Sequence, residues 1–208
     1  LKDTDLYRFE GRTLKYVLRN VQLAGDFEMT KLEQIFDKLL REYGEQGWWP
    51  LPSMAGKEGF DSRGYHKKDY SYPKTEQQRF EIAIGAILTQ NTSWLQAEKA
   101  ALNLHRSNLL SPAAIAKAEI NKLAAAIKPS GFFNEKAKKL KAFGKFYSAL
   151  NNAVPKRGEL LSVWGIGPET ADSILLYAFQ VPTFVVDAYT RRIITALGLI
   201  DAAATYDE

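Results

Sequence analysis

LSVWGIGPETADSILLYAFQVPTFVVDAYTRR, residues 161–192, decides the fold. A helix end runs into Gly165-Ile166-Gly167. Two glycines at that spacing permit a sharp turn and close approach of a ligand to the backbone. Pro168 and Glu169 then suit the first turn of a second helix, proline for its fixed φ and the carboxylate for the positive helix end. Amides at such a helix start face outward and can hold a phosphate. After the β-branched pair Val185-Val186, Asp187 precedes Ala188–Leu197, the position of a helix N-cap. The segment therefore predicts helix, hairpin, helix, short apolar run, and a carboxylate opening a third helix.

Working outward, the rest of the chain reads as helices with short connectors. Thr30 caps an amphipathic helix over Lys31–Tyr43, ended by Gly44 and Gly47. Thr75–Leu88 carries an apolar stripe broad enough for a buried helix and ends in the polar break Thr89-Gln90-Asn91-Thr92. Helices follow over Trp94–Asn103, Pro112–Ala118, Ile120–Ile127 and, after Pro129-Ser130-Gly131, the basic stretch Glu135–Leu150. Only Gly47–Lys74, rich in glycine, aromatics and charge, reads as a long loop, a type that is often functional or partly disordered. Residues 1–30 give no assignment beyond a hint of helix or strand at Leu14–Leu18. The fold class is all-α.

The 208 residues suffice for one or two cores, and a net charge of +4 permits an anionic partner without requiring one. Between Lys128 and Arg157 basic residues outnumber acids eight to one, and no lysine follows Arg157. The sequence has no cysteine, which excludes disulfides and thiolate metal sites within these residues, and His66 and His105 show no metal-ligand spacing. No apolar run reaches the roughly 20 residues that span a bilayer. No secretory signal is visible, and we expect an intracellular protein, in cytoplasm, nucleoid or nucleus. An ordinary helix–helix turn is the plain alternative for the hairpin, but GIGPETAD between two helices and ahead of Asp187 favours DNA-backbone binding.

The same segment resembles the helix–hairpin–helix, Gly/Pro-rich loop and aspartate of the endonuclease III superfamily of DNA glycosylases. Ile84–Thr92 (IGAILTQNT) is similar to the superfamily's helix ending in glutamine, and Pro129–Ala137 (PSGFFNEKA) to its glycine-aromatic-asparagine-lysine-alanine turn. The resemblance implies a two-lobed helical fold with a cleft. Residues 75–197 would form the continuous lobe, with the hairpin at about 157–179. Residues 1–74 would contribute extension, helix and aromatic loop to the other lobe, and 198–208 would begin the return to it. Asp187 resembles the catalytic carboxylate. Gly165 and Gly167, with Thr170 beside them, resemble the phosphate-binding hairpin, and Lys136 is the best single lysine for a phosphate. Gln90 resembles the glutamine that fills the gap left by a flipped nucleotide, with a polar helix end as the alternative. Phe132 stands where an apolar wedge is often placed, with core packing as the alternative.

Two departures shape the expected chemistry. Bifunctional members carry a lysine directly before the Thr-Ala of the second hairpin helix, and Glu169 stands there. A lysine amine can form a Schiff base with the sugar, and a carboxylate cannot. Trp48, Trp49, Pro50 and Trp94 resemble the base-stacking aromatic set of the 3-methyladenine DNA glycosylase III subgroup, which also has glutamate at that position; staples tying the loop to the core are the alternative for Trp48 and Trp49. Aromatic faces attract a cationic alkylated purine. The resemblance thus implies a monomeric, monofunctional base-excision-repair glycosylase that flips an alkylated, 3-methyladenine-like purine from duplex DNA and hydrolyses its glycosidic bond. The alternatives are a bifunctional glycosylase/lyase on oxidised pyrimidines, a mismatch-directed adenine or thymine glycosylase, and a non-catalytic hairpin module. Superfamily chains normally continue well past the aspartate, so we expect a missing C-terminal part. No metal or cofactor is expected within these residues, and an iron–sulfur cluster only in such a tail.

Overall fold

A computed structural model describes residues 30–45 and 47–208; the Leu14–Leu18 hint lies outside them. Every regular element among the described residues is helical, and none of these helices is long and apolar enough to cross a membrane. The chain divides into two compact units, 1–74 and 75–208.

In the first unit, α1 spans Lys31–Tyr43. Thr30 and Glu33 close a capping box: Glu33 N–H donates to Thr30 Oγ1 at 3.3 Å and Thr30 N–H to Glu33 Oε2 at 2.7 Å. Such reciprocal bonds satisfy helix-start amides that have no partner within the helix. Residues 47–74 are more ordered than their composition suggests. Leu51 is fully buried, and its N–H donates to Gly64 O at 2.9 Å. Gly64 holds φ +87°, and a Cβ there would lie 2.2 Å from Leu51 O, so only glycine allows the two strands of the loop to close. Phe60, His66 and Tyr72 pack as a trio, with ring centroids 4.9–5.3 Å apart.

The second unit is built around α2, Glu76–Leu88. Thr75 caps it, accepting from Gln78 N–H at 3.2 Å. Every residue from Phe80 to Leu88 is buried, which is wider than a stripe. A helix apolar on all sides belongs inside a layer of others, and here the neighbours are α3 (Trp94–Arg106), α6 (Phe133–Ala149), α8 (Pro168–Ser173) and the turn after it. Phe80 stacks on Phe143 of α6 at 6.1 Å and meets Tyr147 edge-on at 4.9 Å; the Tyr147 hydroxyl donates to Glu76 O at 3.1 Å. Between α3 and α6 lie two short helices, α4 (Pro112–Lys117), capped by Ser111, and α5 (Ile120–Ala126), then a 3-10 turn at Lys128–Ser130. Both short helices pack on α6. Gly144 of α6 makes room for Ile115, whose Cγ2 would stand 3.0 Å from a Cβ.

The hairpin consists of α7 (Arg157–Leu161), the two-glycine turn and α8. The second hairpin helix is not one regular helix to Phe179: after Ser173 it widens into a π turn, Ile174–Ala178. The chain leaves it through Gln180 at φ +55°, with Val181 N–H donating to Leu175 O at 2.9 Å. It then runs without regular structure to Asp187, which opens α9 (Ala188–Ala196). Arg157 grips Asp172 of α8 through Nε at 2.8 Å and Nη2 at 3.2 Å, and also Asp207 at 2.7 Å. Asp172 is 4% exposed, so this fork ties the two hairpin helices at a buried point and occupies the guanidinium.

Candidate DNA-binding and catalytic site

Two backbone bonds of 3.0 Å, Val163 N–H to Leu160 O and Ile166 N–H to Val163 O, fold the chain back after α7. Ile166 is buried between the helices, while the N–H groups of Gly165 and Gly167 take no part in these turn bonds. Gly165 sits at φ +85°, and a Cβ there would strike the side chain of Lys139. The positive φ favours glycine, and an added Cβ would have to displace the Lys139 stem.

Asp187 lies half-buried at the start of α9, and its Oδ1 accepts from Thr190 N–H at 2.7 Å, the capping role its position in the sequence requires. Its charge is felt by two groups of the hairpin helix. Glu169 retains solvent contact, but partial burial and then the Asp187 charge hold its carboxyl above the usual range. Burial and Asp187 likewise push up the Tyr177 phenol. Tyr206 joins the same neighbourhood: its hydroxyl accepts from Val186 N–H at 3.4 Å, and its phenol is raised chiefly by burial. The fold thus places a second carboxylate and a phenol within the electrostatic reach of the carboxylate at 187.

A raised carboxyl means that the folded state holds a proton the unfolded state has released. Stability is then lost as pH rises through that window. Glu169→Gln is accordingly expected to melt at or above the wild-type temperature at pH 7, with the advantage vanishing once both carboxyls are protonated in acid. Thermal melts at pH 7 and at pH 3 check this; a Gln variant less stable at neutral pH would show that Glu169 has a favourable partner.

Gln90 ends the polar break after α2, and its amide is fully engaged with the hairpin. Nε2 donates to Gly165 O and to Thr170 Oγ1, both at 3.0 Å, and Oε1 accepts from Lys139 Nζ at 2.6 Å. Thr170 is thereby buried and faces Gln90. Phe132, by contrast, is 70% exposed and held at φ +46°, so it does not pack in the core. A bulky residue with positive φ is an outlier that its surroundings must enforce, and such outliers gather at functional positions.

Lys136 does not meet its expectation of holding phosphate. It is 2% exposed, and its Nζ donates to Leu88 O at 2.8 Å and Ser130 O at 2.7 Å. Burial, then the nearby Lys139 charge, lowers its pKa to about 8. Helical phase explains the burial: Lys136 shares a face of α6 with Leu140 and Phe143, both fully buried.

In the first unit, Trp48 and Trp49 are half-buried and Pro50 is buried. Trp48 meets Tyr70 edge-on at 5.9 Å. His66, 2% exposed, spans the loop: Nδ1 lies 2.7 Å from Asp69 O and Nε2 3.0 Å from Trp49 O. Trp94, half-buried, is the first residue of α3 in the second unit. Sequence reasoning overlooks His66 as the pin of the tryptophan segment, Lys139 as the lysine at the hairpin, and Trp164, 55% exposed next to Gly165. Lys139 lies three residues, about one helical turn, beyond Lys136 in the same basic stretch, which is the signal the sequence offers for it. Among the described residues no group of three His, Cys, Asp or Glu could hold a metal, and a chain without cysteine does not fit a thiolate-held cluster.

Known proteins share this fold. The HhH-GPD superfamily base excision DNA repair protein profile matches residues 84–208. A Methanocaldococcus jannaschii protein that carries the name DNA repair glycosylase is 40% identical over 193 residues, covering 88% of this chain and 76% of that one. Endonuclease III homolog 1, chloroplastic, of Arabidopsis thaliana is 33% identical over 148 residues, 70% of this chain and 39% of that one. Among solved structures, 3-methyladenine DNA glycosylase from H. pylori bound to 1,N6-ethenoadenine superposes with a TM-score of 0.56 and 33% identity, over 64% of this chain and 69% of that one.

Proposed function

The chain belongs to the HhH-GPD superfamily of base excision DNA repair proteins, and on that premise we propose that it is a monofunctional DNA glycosylase that hydrolyses an alkylated, 3-methyladenine-like purine from duplex DNA. The observation that carries the monofunctional reading is Glu169. A carboxylate that feels the Asp187 charge occupies the first turn of the second hairpin helix, and no lysine follows it in the sequence. Likeness to the H. pylori enzyme, whose structure holds an ethenoadenine, supports a modified purine as the substrate class.

The steps follow from the residues. The hairpin turn, with Gly165 and Gly167 bare of side chains, takes a backbone phosphate on its amides. The target nucleotide leaves the stack at a cost of a few kcal/mol, which Phe132 and Gln90 offset at the vacated step. Trp94, half-buried at the first position of α3, offers the base an aromatic face, where a positive purine is favoured. An alkylated purine is already a good leaving group. Asp187 therefore needs only to stabilise the oxocarbenium-like sugar and orient a water for attack.

The endonuclease III relative favours a second reading, a bifunctional enzyme that also cuts the strand. The two separate on one measurement. Borohydride added during turnover of duplexes holding 3-methyladenine-type, oxidised-pyrimidine or mismatched bases should give base release from the alkylated duplex and no covalent complex. A trapped complex would overturn the monofunctional reading, and release confined to oxidised or mismatched bases would overturn the substrate class.

A further inference from the structure

Lys139 stands 26 residues before Gly165 in sequence, yet the fold lays it across the hairpin. A Cβ on Gly165 would lie 2.5, 2.7 and 2.8 Å from Lys139 Cγ, Cδ and Cε, so the stem covers the glycine and the ammonium, one bond further, sits beside the turn. Its Nζ donates to Gln90 Oε1 at 2.6 Å, and Gln90 Nε2 donates onward to Gly165 O and Thr170 Oγ1. The adjacent Lys138 has an acidic partner, Glu135, at 2.7 Å. Lys139 is held by a neutral amide oxygen, a weaker acceptor for a cation than an anionic oxygen.

We infer that Lys139 is the cation of the hairpin's phosphate site, and that Gln90 is the acceptor that holds its place until DNA arrives. This rests on the reading of the hairpin as a DNA-backbone grip. A phosphate seated on the Gly165–Gly167 turn lies within the reach of the ammonium and takes it from Gln90. Gln90 then has two bonds to break instead of three before it turns toward the duplex. Backbone binding and gap filling are thereby coupled through one lysine, with no contact between Lys139 and the reacting sugar.

The test is fluorescence-anisotropy binding of an undamaged duplex, and of one with a tetrahydrofuran abasic analogue, across a KCl series. Lys139→Met keeps a long apolar stem over Gly165. It should lower the slope of log K against log [KCl] by about 0.9 and weaken binding about tenfold near 0.1 M salt, as loss of one phosphate contact requires. Lys139→Arg should retain the wild-type slope. Gln90→Ala should also retain it while losing preference for the abasic duplex. A wild-type slope in a folded Lys139→Met protein would overturn the inference, as would an equal loss of slope in Gln90→Ala. Should Lys139→Met melt early, Lys139→Gln, uncharged but polar, carries the same expectation. Failure of the wild type to release any base would sink the proposed chemistry and leave these slopes readable; failure to bind duplex would sink the hairpin reading itself.

Discussion

Asp187→Asn is expected to bind duplex DNA like the wild type and to release alkylated base about 10²–10⁴-fold more slowly, the span that a positioned acid–base group contributes. The substitution is informative because the two roles of Asp187 separate cleanly. As the N-cap of α9 it offers Oδ1 to Thr190 N–H. Asparagine caps as well as aspartate, so the helix start and the approach through Val185-Val186 should survive. What disappears is the charge that raises Glu169 and Tyr177. Single-turnover base release at saturating enzyme, with anisotropy for affinity and a thermal melt for folding, reads the three properties separately. Wild-type release by a folded Asn variant would remove Asp187 from the chemistry. A large loss of affinity would mean that Asp187 acts through the duplex and not through the sugar.

Lys136→Met should be the most destabilising of the changes considered, at about 2–4 kcal/mol, because two buried carbonyl oxygens lose their shared donor. For a chain of this size that is a fall of roughly 5–15 °C in melting temperature. Leu88 O belongs to the end of α2, which leads to Gln90, and Ser130 O to the turn that presents Phe132. The lysine therefore bolts together the two segments proposed to enter the duplex. Its loss should slow base release more than it weakens duplex binding, and the salt slope should not change. The pH dependence follows from its lowered pKa of about 8. The unfolded chain keeps the proton up to the ordinary lysine value of 10.5, the folded chain releases it near 8, and unfolding takes up a proton in between. The advantage of wild type over Lys136→Met should therefore grow with pH across that window. Denaturant titrations of both proteins at pH 7 and pH 10 check this; a constant gap would show that Lys136 is not the group responsible.

Much of this architecture is written locally. The Thr75 and Asp187 caps, the paired glycines around Ile166 and the apolar run from Phe80 to Leu88 each follow from nearest-neighbour chemistry, and each stands where the sequence puts it. What escapes is tertiary. Lys136, Lys138 and Lys139 are equivalent in composition. Only the packing of α6 against α2 and the hairpin makes the first a buried strut, the second half of a surface ion pair and the third a companion of Gln90. The 47–74 loop escapes for the opposite reason. Its order depends on bonds such as Leu51 N–H to Gly64 O and the His66 Nε2 contact with Trp49 O, which join residues 13 and 17 apart and leave no periodic trace.

The widened turn at Ile174–Ala178 has a consequence of phase. An α-helix advances about 100° per residue, and a π turn accommodates one residue more than a regular turn. The side chains that follow in this helix, up to Phe179, are therefore set about one such step away from where an unbroken α-helix would aim them. Tyr177, whose phenol feels the Asp187 charge, lies inside that turn. Its direction is thus kept by a count of residues as much as by their identities, and a single deletion among the apolar, interchangeable-looking positions Ile174–Leu176 would re-aim the phenol without touching it.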